Sequence, residues 1–273
     1  MKRILILLSA LLLTGIINPT SARAQELRSD DSPAKAKSGQ DPQFHLYLLI
    51  GQSNMAGRGP VDAESKAAHP RVLMLNKAKE WVPATDPMHF DKPAAAVGPG
   101  LAFGKQMAED NPKVRIGLIP CAVGGSAIRS WTPGAEDKAT KTHPYDDMLE
   151  RAKVALQAGE LKGILWHQGE SDLKSPGYGK DLTELVERLR KDLSAPKVPF
   201  IASELSPLNP ASAAAVAEFN KIVRGLNMPG YGCISGEGLE DKGDKLHLST
   251  ASARTLGKRY AEKMKSMQAG AQK

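Results

Sequence analysis

The sequence predicts an α/β fold: a three-layer α/β/α domain on a doubly wound, mainly parallel sheet of five to six strands. Three observations lead there. Short apolar runs bounded by Gly, Pro or charge alternate along the chain with longer amphipathic stretches. The runs are apolar on both faces, as strands buried between two helix layers must be. No internal repeat and no Gly/Pro/Ser-rich linker divides the middle of the 273 residues, so one domain with a substantial core is expected.

The first residues read as a leader. Lys2 and Arg3 precede an apolar run from Ile4 to Ile17, and Ala22-Arg23-Ala24 has the small-x-small form of a signal-peptidase site. That run is shorter than the ~20 apolar residues a membrane span needs. No cysteine follows it that could carry a lipid anchor. Residues 1–24 are therefore expected to be a signal peptide cleaved after Ala24, leaving no stable membrane anchor and a secreted or periplasmic product. Residues 25–42, "QELRSDDSPAKAKSGQDP", are polar without apolar period and read as a flexible lead-in. The domain is expected over 43–268, with 269–273 as a C-terminal tail.

Within the domain, six runs predict strands. They are "FHLYLLI" (44–50), "RVLML" (71–75), "VRIGLIP" (114–120), "GILWH" (163–167), "VPFIASE" (198–204) and "YGCIS" (231–235). Helices are expected at 100–110, 145–158, 178–193 and 211–226, with a last one from Thr250 to about Met267. In 178–193, for example, Leu182, Leu185, Val186 and Leu189 recur at the spacing of one helix face. With aromatics at only 5%, the core between these layers must be mainly aliphatic.

Composition excludes several function classes. At 41% hydrophobic and 25% charged, the chain is ordinary for a globular protein and unlike a disordered one. The formal charge of +7 falls to +4 without residues 1–24, which carry Lys2, Arg3 and Arg23 and no acid. The remaining bases are interspersed with acids, as in Glu187-Arg188-Leu189-Arg190-Lys191-Asp192, which is a solvated helix face and not a nucleic-acid stripe. Cys121 and Cys233 lie in or just after strand-like runs and are expected as two separate buried thiols. Nothing in the sequence specifies an oligomeric state.

Ligands on doubly wound sheets bind beyond the carboxyl ends of the strands, so the residues after each run matter most. Four such loops stand out: Gly51-Gln52-Ser53-Asn54, Cys121 to Ser126 with Gly124-Gly125, His167-Gln168-Gly169-Glu170-Ser171-Asp172, and Asp244-Lys245-Leu246-His247. Singly, each has a structural reading. Ser53 can cap a helix, the glycines can make a turn, Glu170 and Asp172 suit a first helical turn, and His247 can be a surface histidine. Together they compose acyl transfer. A serine hydroxyl needs an imidazole to take its proton, and the imidazole needs a carboxylate to set its tautomer. Asp244, three residues before His247, lets one loop supply both. Oxyanion donors are available in the Ser53 N–H, the Gly125 N–H and the Gln168 amide. The six histidines are scattered without ligand spacing, so neither a metal nor another cofactor is expected.

"LLIGQSNMAGRGP", "GLIPCAVGGSAIRSW", "WHQGESD" and "DKLHLS" together resemble the SGNH-hydrolase superfamily, whose sheet is flavodoxin-like. The nearer likeness is to carbohydrate esterase family six, the sialate O-acetylesterase-like group that includes acetylxylan esterases. It extends from about Gln43 to Met267. The resemblance implies Ser53 as nucleophile, His247 as base and Asp244 as orienting acid, with Ser53, Gly125 and Gln168 forming the oxyanion hole. Members differ in whether the acid is the Asp of D-x-x-H or the Glu of H-Q-G-E, so Glu170 is a second candidate. In the wider superfamily the third block supplies an Asn where this chain has Gln168. Gln52 and Asn54 are expected near substrate, Asn54 either bracing the turn or touching the ligand. Trp131 either stacks on a sugar face or packs within its loop. The implied substrate is an acetylated oligo- or polysaccharide, with no cofactor.

Rival readings fit less well. The α/β-hydrolase nucleophile elbow is G-x-S-x-G, whereas Asn54-Met55 follows Ser53. A carbohydrate-binding protein on the same scaffold would not need a Ser–His pair. A general short-chain esterase remains open, while the lack of a long apolar lid weighs against a lipase.

Overall fold

The computed structural model describes residues 39–270, so the expectations for the signal peptide, most of the lead-in and the last three residues lie outside the described residues. The described residues belong to one compact unit. In chain order its elements are β1 (Asp41–Gly51), α1 (Ser53–Ala56), α2 (Ala63–Lys66), β2 (Val72–Leu75), β3 (Trp81–Pro83), α3 (Pro99–Asp110) and β4 (Arg115–Pro120). They continue with α4 (Pro144–Ala155), β5 (Gly159–His167), α5 (Tyr178–Asp192), β6 (Phe200–Ser203), α6 (Ala213–Gly225), β7 (Tyr231–Ile234) and α7 (Thr250–Gly270).

The strands form one seven-stranded sheet in the order β3-β2-β4-β1-β5-β6-β7, parallel except for the edge strand β3. The sheet is one strand larger than expected. β3 has only three residues and ends on Pro83, too short to show any period, and it forms by pairing antiparallel with β2. β1 and β5 also begin earlier than their apolar runs. Asp41 N–H bonds to Ala158 O at 3.1 Å, and Gly159, Glu160 and Leu161 pair with Asp41, His45 and Leu46 of β1 across two register shifts.

β1 sits at the centre between β4 and β5, where the strand order reverses. Its residues alternate between two buried faces. Leu46, Leu48 and Ile50 pack with the α4, α5 and α6 layer, and Tyr47 and Leu49 pack with α3 and α7. A strand buried on both faces must be apolar throughout, which explains the unbroken run at 46–50. The carboxyl ends of β4, β1 and β5 therefore lie side by side at the switch point, where loops from distant parts of the chain converge. Cys121, after β4, is a buried free thiol as expected, whereas Cys233 is free but only partly buried, because β7 is an edge strand of the sheet.

Candidate active site

β1 ends at Gly51, opposite His167 of β5 in the parallel register. Gly51 has φ +127°, and a Cβ there would stand 2.1 Å from His167 O. Only glycine lets the chain turn at that close approach. Gln52 N–H then bonds to His167 O at 2.9 Å, and Ser53 opens the four-residue α1. At this first helical position the Ser53 N–H has no intrahelical acceptor.

The loop after β4 runs alongside that turn, with Val123 N–H bonded to Gly51 O at 2.9 Å. Gly124 N–H donates to Asp91 Oδ2 at 2.8 Å, and Ser126 N–H donates to Val123 O at 3.2 Å. Gly125, exposed and at φ +83°, has no such bond among the described residues. Asp91 is held in turn by Arg58 at 2.7 Å in a buried ion pair. A Cβ on Gly124 would meet Arg58 Nη2 at 2.3 Å, so the turn lies directly on this pair. Sequence reasoning missed both partners. Arg58 had a weak signal, a lone charge within a Gly-rich stretch after β1, and Asp91 had none.

Asn54 settles into a bracing position. It is buried, its Oδ1 accepts from Leu248 N–H at 3.0 Å, and its Nδ2 donates to Leu246 O at 3.2 Å. The residue after Ser53 thus grips the residues on both sides of His247. The same Nδ2 donates to Glu170 Oε1 at 2.6 Å. Within the His247 loop, Asp244 Oδ2 faces His247 Nδ1 at 2.7 Å. Asp244 Oδ1 accepts the His247 and Leu246 N–H groups at 2.7 and 3.0 Å. Partial burial pushes the Asp244 carboxyl up, but the bonds from His247 and Leu246 outweigh it and hold the group well below the usual carboxylate range.

Glu170 is placed elsewhere. Its Oε1 lies 3.4 Å from His167 Nε2, and its hydrogen bond comes from Asn54. His167 Nδ1 is bonded to Ser203 Oγ on β6. Burial raises the Glu170 carboxyl, yet the bonds from His167 and Asn54 leave it lowered overall and therefore ionised at neutral pH.

Three expected site residues turn inward. Gln168, expected as the third oxyanion donor, is buried, and its Nε2 bonds to Gln52 Oε1 at 3.1 Å, Ser126 O at 3.2 Å and Asp172 Oδ2. Its amide is thus shared among three protein acceptors, whereas the Ser53 and Gly125 N–H groups have no acceptor among the described residues. Gln52, expected at substrate, is also buried, and its Oε1 supports the Gln168 amide and the Ser171 N–H at 3.4 Å. Trp131 is 0% exposed. Its ring meets Trp166 edge-on at 5.3 Å and its Nε1 donates to Ser126 Oγ at 3.0 Å, so it packs the core and stacks on no sugar. Among the described residues no group of three or more His, Cys, Asp and Glu side chains is arranged to hold a metal.

A serine turn, a Gly-Gly turn and a D-x-x-H loop meeting at the switch point of a parallel three-layer sheet make this a hydrolase of the SGNH type. The family model described as carbohydrate esterase, sialic acid-specific acetylesterase, matches residues 43–266, and the chain belongs to that family. It is accordingly a carboxylic ester hydrolase of the carbohydrate esterase class. An Arabidopsis thaliana protein named "Probable carbohydrate esterase" is 32% identical over 246 residues, covering 81% of this chain and 90% of that one. Its crystal structure aligns with TM-score 0.73 at 30% identity, covering 83% of this chain and 99% of that chain. The NanS structure shares the fold, with TM-score 0.66 and 18% identity over 85% of this chain and 99% of that chain. So does XAC1771, a carbohydrate acetylesterase from Xanthomonas citri, with TM-score 0.55 and 20% identity over 79% of this chain and 55% of that one.

Proposed function

We propose that this chain is an exported serine esterase that removes O-acetyl groups from carbohydrate hydroxyls through an acyl-enzyme. Ser53 Oγ attacks the ester carbonyl while His247 Nε2 takes its proton. Asp244, on Nδ1, holds the imidazole in the tautomer that can accept that proton and stabilises the imidazolium. The oxyanion receives the Ser53 and Gly125 N–H groups. His247 returns the proton to the departing sugar oxygen. A water molecule, deprotonated by the same imidazole, then releases acetate and restores Ser53.

The observation that carries this reading is the Asn54 clamp, which ties the Ser53 turn to the two residues flanking His247. The 2.7 Å contact of Asp244 with His247 Nδ1 supports Asp244 over Glu170 as orienting acid. The leader sequence supports export. Acetylated carbohydrate as substrate follows from the family and from the relatives' names. The test is hydrolysis of p-nitrophenyl acetate by wild type and Ser53→Ala. Activity should fall to background in the variant, and wild-type rates in Ser53→Ala would refute the nucleophile. Mass spectrometry of the exported protein should find Gln25 at its N-terminus.

A further inference from the structure

The two oxyanion donors sit on separate loops, Ser53 at the start of α1 and Gly125 after β4. The backbone bond between those loops, Val123 N–H to Gly51 O, stops short of both donors. Packing does not hold Gly125: outside its chain neighbours, a Cβ there would meet only Lys92 Nζ, at 3.7 Å. Its carbonyl accepts from Ser171 Oγ at 3.1 Å. On its other side the hold is the bond from Gly124 N–H to Asp91.

A chain of hydrogen bonds joins the two donors through that carboxylate. Gly57 N–H closes α1 on Ser53 O at 2.8 Å, and Gly57 O accepts from Arg58 Nη1 at 2.7 Å. Arg58 Nη2 and Gly124 N–H both donate to Asp91 Oδ2, at 2.7 and 2.8 Å. The planar guanidinium thus spans from the Ser53 helix to the Gly-Gly turn as a fork. The segment carrying Asp91 is stitched to the same place by Ala96 N–H on Gly57 O at 3.0 Å and by the Gly59–Val97 bridge. The side chains of Arg58 and Asp91 are only 6% and 1% exposed. An ion pair so buried gains little stability over a well-packed apolar pair, so stability alone gives no reason for it. Its geometry does: Oδ2 takes both bonds, while Oδ1 is buried with no partner among the described residues. Arg58 also cancels a carboxylate that, alone beside the Gly-Gly turn, would oppose the charge developing on the oxyanion.

We propose that Arg58 and Asp91 are positioning residues for the oxyanion hole. The pair sets the Gly125 N–H relative to the Ser53 N–H and touches no substrate. The inference rests on the serine-esterase reading and adds to it the device that spaces the two donors.

The test compares wild type with Asp91→Asn, Asp91→Ala, Arg58→Lys and the double variant Arg58→Met/Asp91→Leu. An Asn oxygen can keep both donors, with its amide nitrogen in the place of Oδ1, so Asp91→Asn should stay within about threefold of wild-type kcat on p-nitrophenyl acetate. Asp91→Ala and the double variant free the Gly124 N–H and should lower kcat about 10–10²-fold, with KM within about twofold. The double variant leaves no buried charge unpaired, so its melting temperature should stay near that of wild type. Arg58→Lys keeps the charge without the fork and should lose about tenfold in kcat. Methylboronic acid, whose serine adduct places an anionic oxygen in the hole, reads the donors apart from turnover. Its Ki should rise in step with the loss in kcat. Wild-type kcat and Ki in any folded variant among Asp91→Ala, Arg58→Lys and the double variant would overturn the inference. So would losses carried by KM with Ki unchanged, or Asp91→Asn as impaired as Asp91→Ala. Should Asp91→Ala and the double variant fail to fold, Asp91→Asn and Arg58→Lys decide by the same criteria. Hydrolysis that persists in Ser53→Ala refutes the esterase reading, whereas Ser53-dependent hydrolysis unchanged by these variants refutes this inference alone.

Discussion

Asp244→Asn isolates the orienting role from the folding of its loop. Asp244 Oδ1 accepts two backbone N–H groups, from Leu246 and His247, and an Asn Oδ1 can keep both. What changes is the 2.7 Å contact with His247 Nδ1. An amide NH2 placed there donates, so Nδ1 becomes the acceptor and the proton moves to Nε2, the atom that must receive the Ser53 proton. In a buried serine-protease triad the same change costs about 10⁴-fold in kcat. Asp244 retains 37% side-chain exposure, so water screens and partly replaces it. A hydrogen bond to a charged group is worth about 1.5–3 kcal/mol, or roughly 10–150-fold, and the tautomer change adds to that. The expected loss in kcat is therefore about 10²–10³-fold, with KM nearly constant. The assay is p-nitrophenyl acetate hydrolysis under saturating conditions, with thermal unfolding followed by circular dichroism to show an intact fold. A variant within threefold of wild type would refute Asp244 as the orienting acid.

Asn54→Ala removes the clamp, leaving the Leu248 N–H without its acceptor and the buried Glu170 carboxylate without its Asn54 donor. It should cost about 2–4 kcal/mol in urea unfolding and lower kcat at least tenfold; unchanged stability and activity would show that the clamp does not position His247. Asp86 is a separate, pH-linked case: burial pushes its carboxyl up to about 7, against a Gly98 backbone hydrogen bond and Arg254, which act to lower it. From about pH 4 to 7 the native state holds a proton that the unfolded state has released, so Asp86 erodes stability as pH rises through that window. Asp86→Asn should remove a penalty on the order of 1–3 kcal/mol at pH 8 and almost none at pH 4. Melting curves across this range check it, and a difference between variant and wild type that does not grow with pH would refute the assignment.

Much of the fold was legible because its signals are local. The runs at 44–50 and 114–120 and the leucine spacing of α5 each carry their own period, and the helices at 100–110 and 178–193 lie within a residue of α3 and α5. β3 and the start of β5 were not legible, since Trp81–Pro83 and residues 159–161 become strand only through their neighbours. Placing the four polar loops at one sheet edge also followed from sequence, because parallel strands all deliver their loops to the same side.

Side-chain direction within those loops did not follow. The sequence determined that Ser53, Gly125, Gln168, Glu170, Asp244 and His247 share an edge and what chemistry such a set can perform. It also placed Asp244 one turn of loop away from His247. Only the tertiary structure turned Gln168 toward Ser126 and Asp172, buried Trp131 against Trp166, and aimed Glu170 at Asn54 and His167. Each of these depends on partners more distant in sequence or on the way a loop folds back on itself, as Asn54 does on Glu170, 116 residues away. A residue's type fixes which bonds it can make, but which bonds it does make depends on atoms that only the folded chain brings within 3 Å.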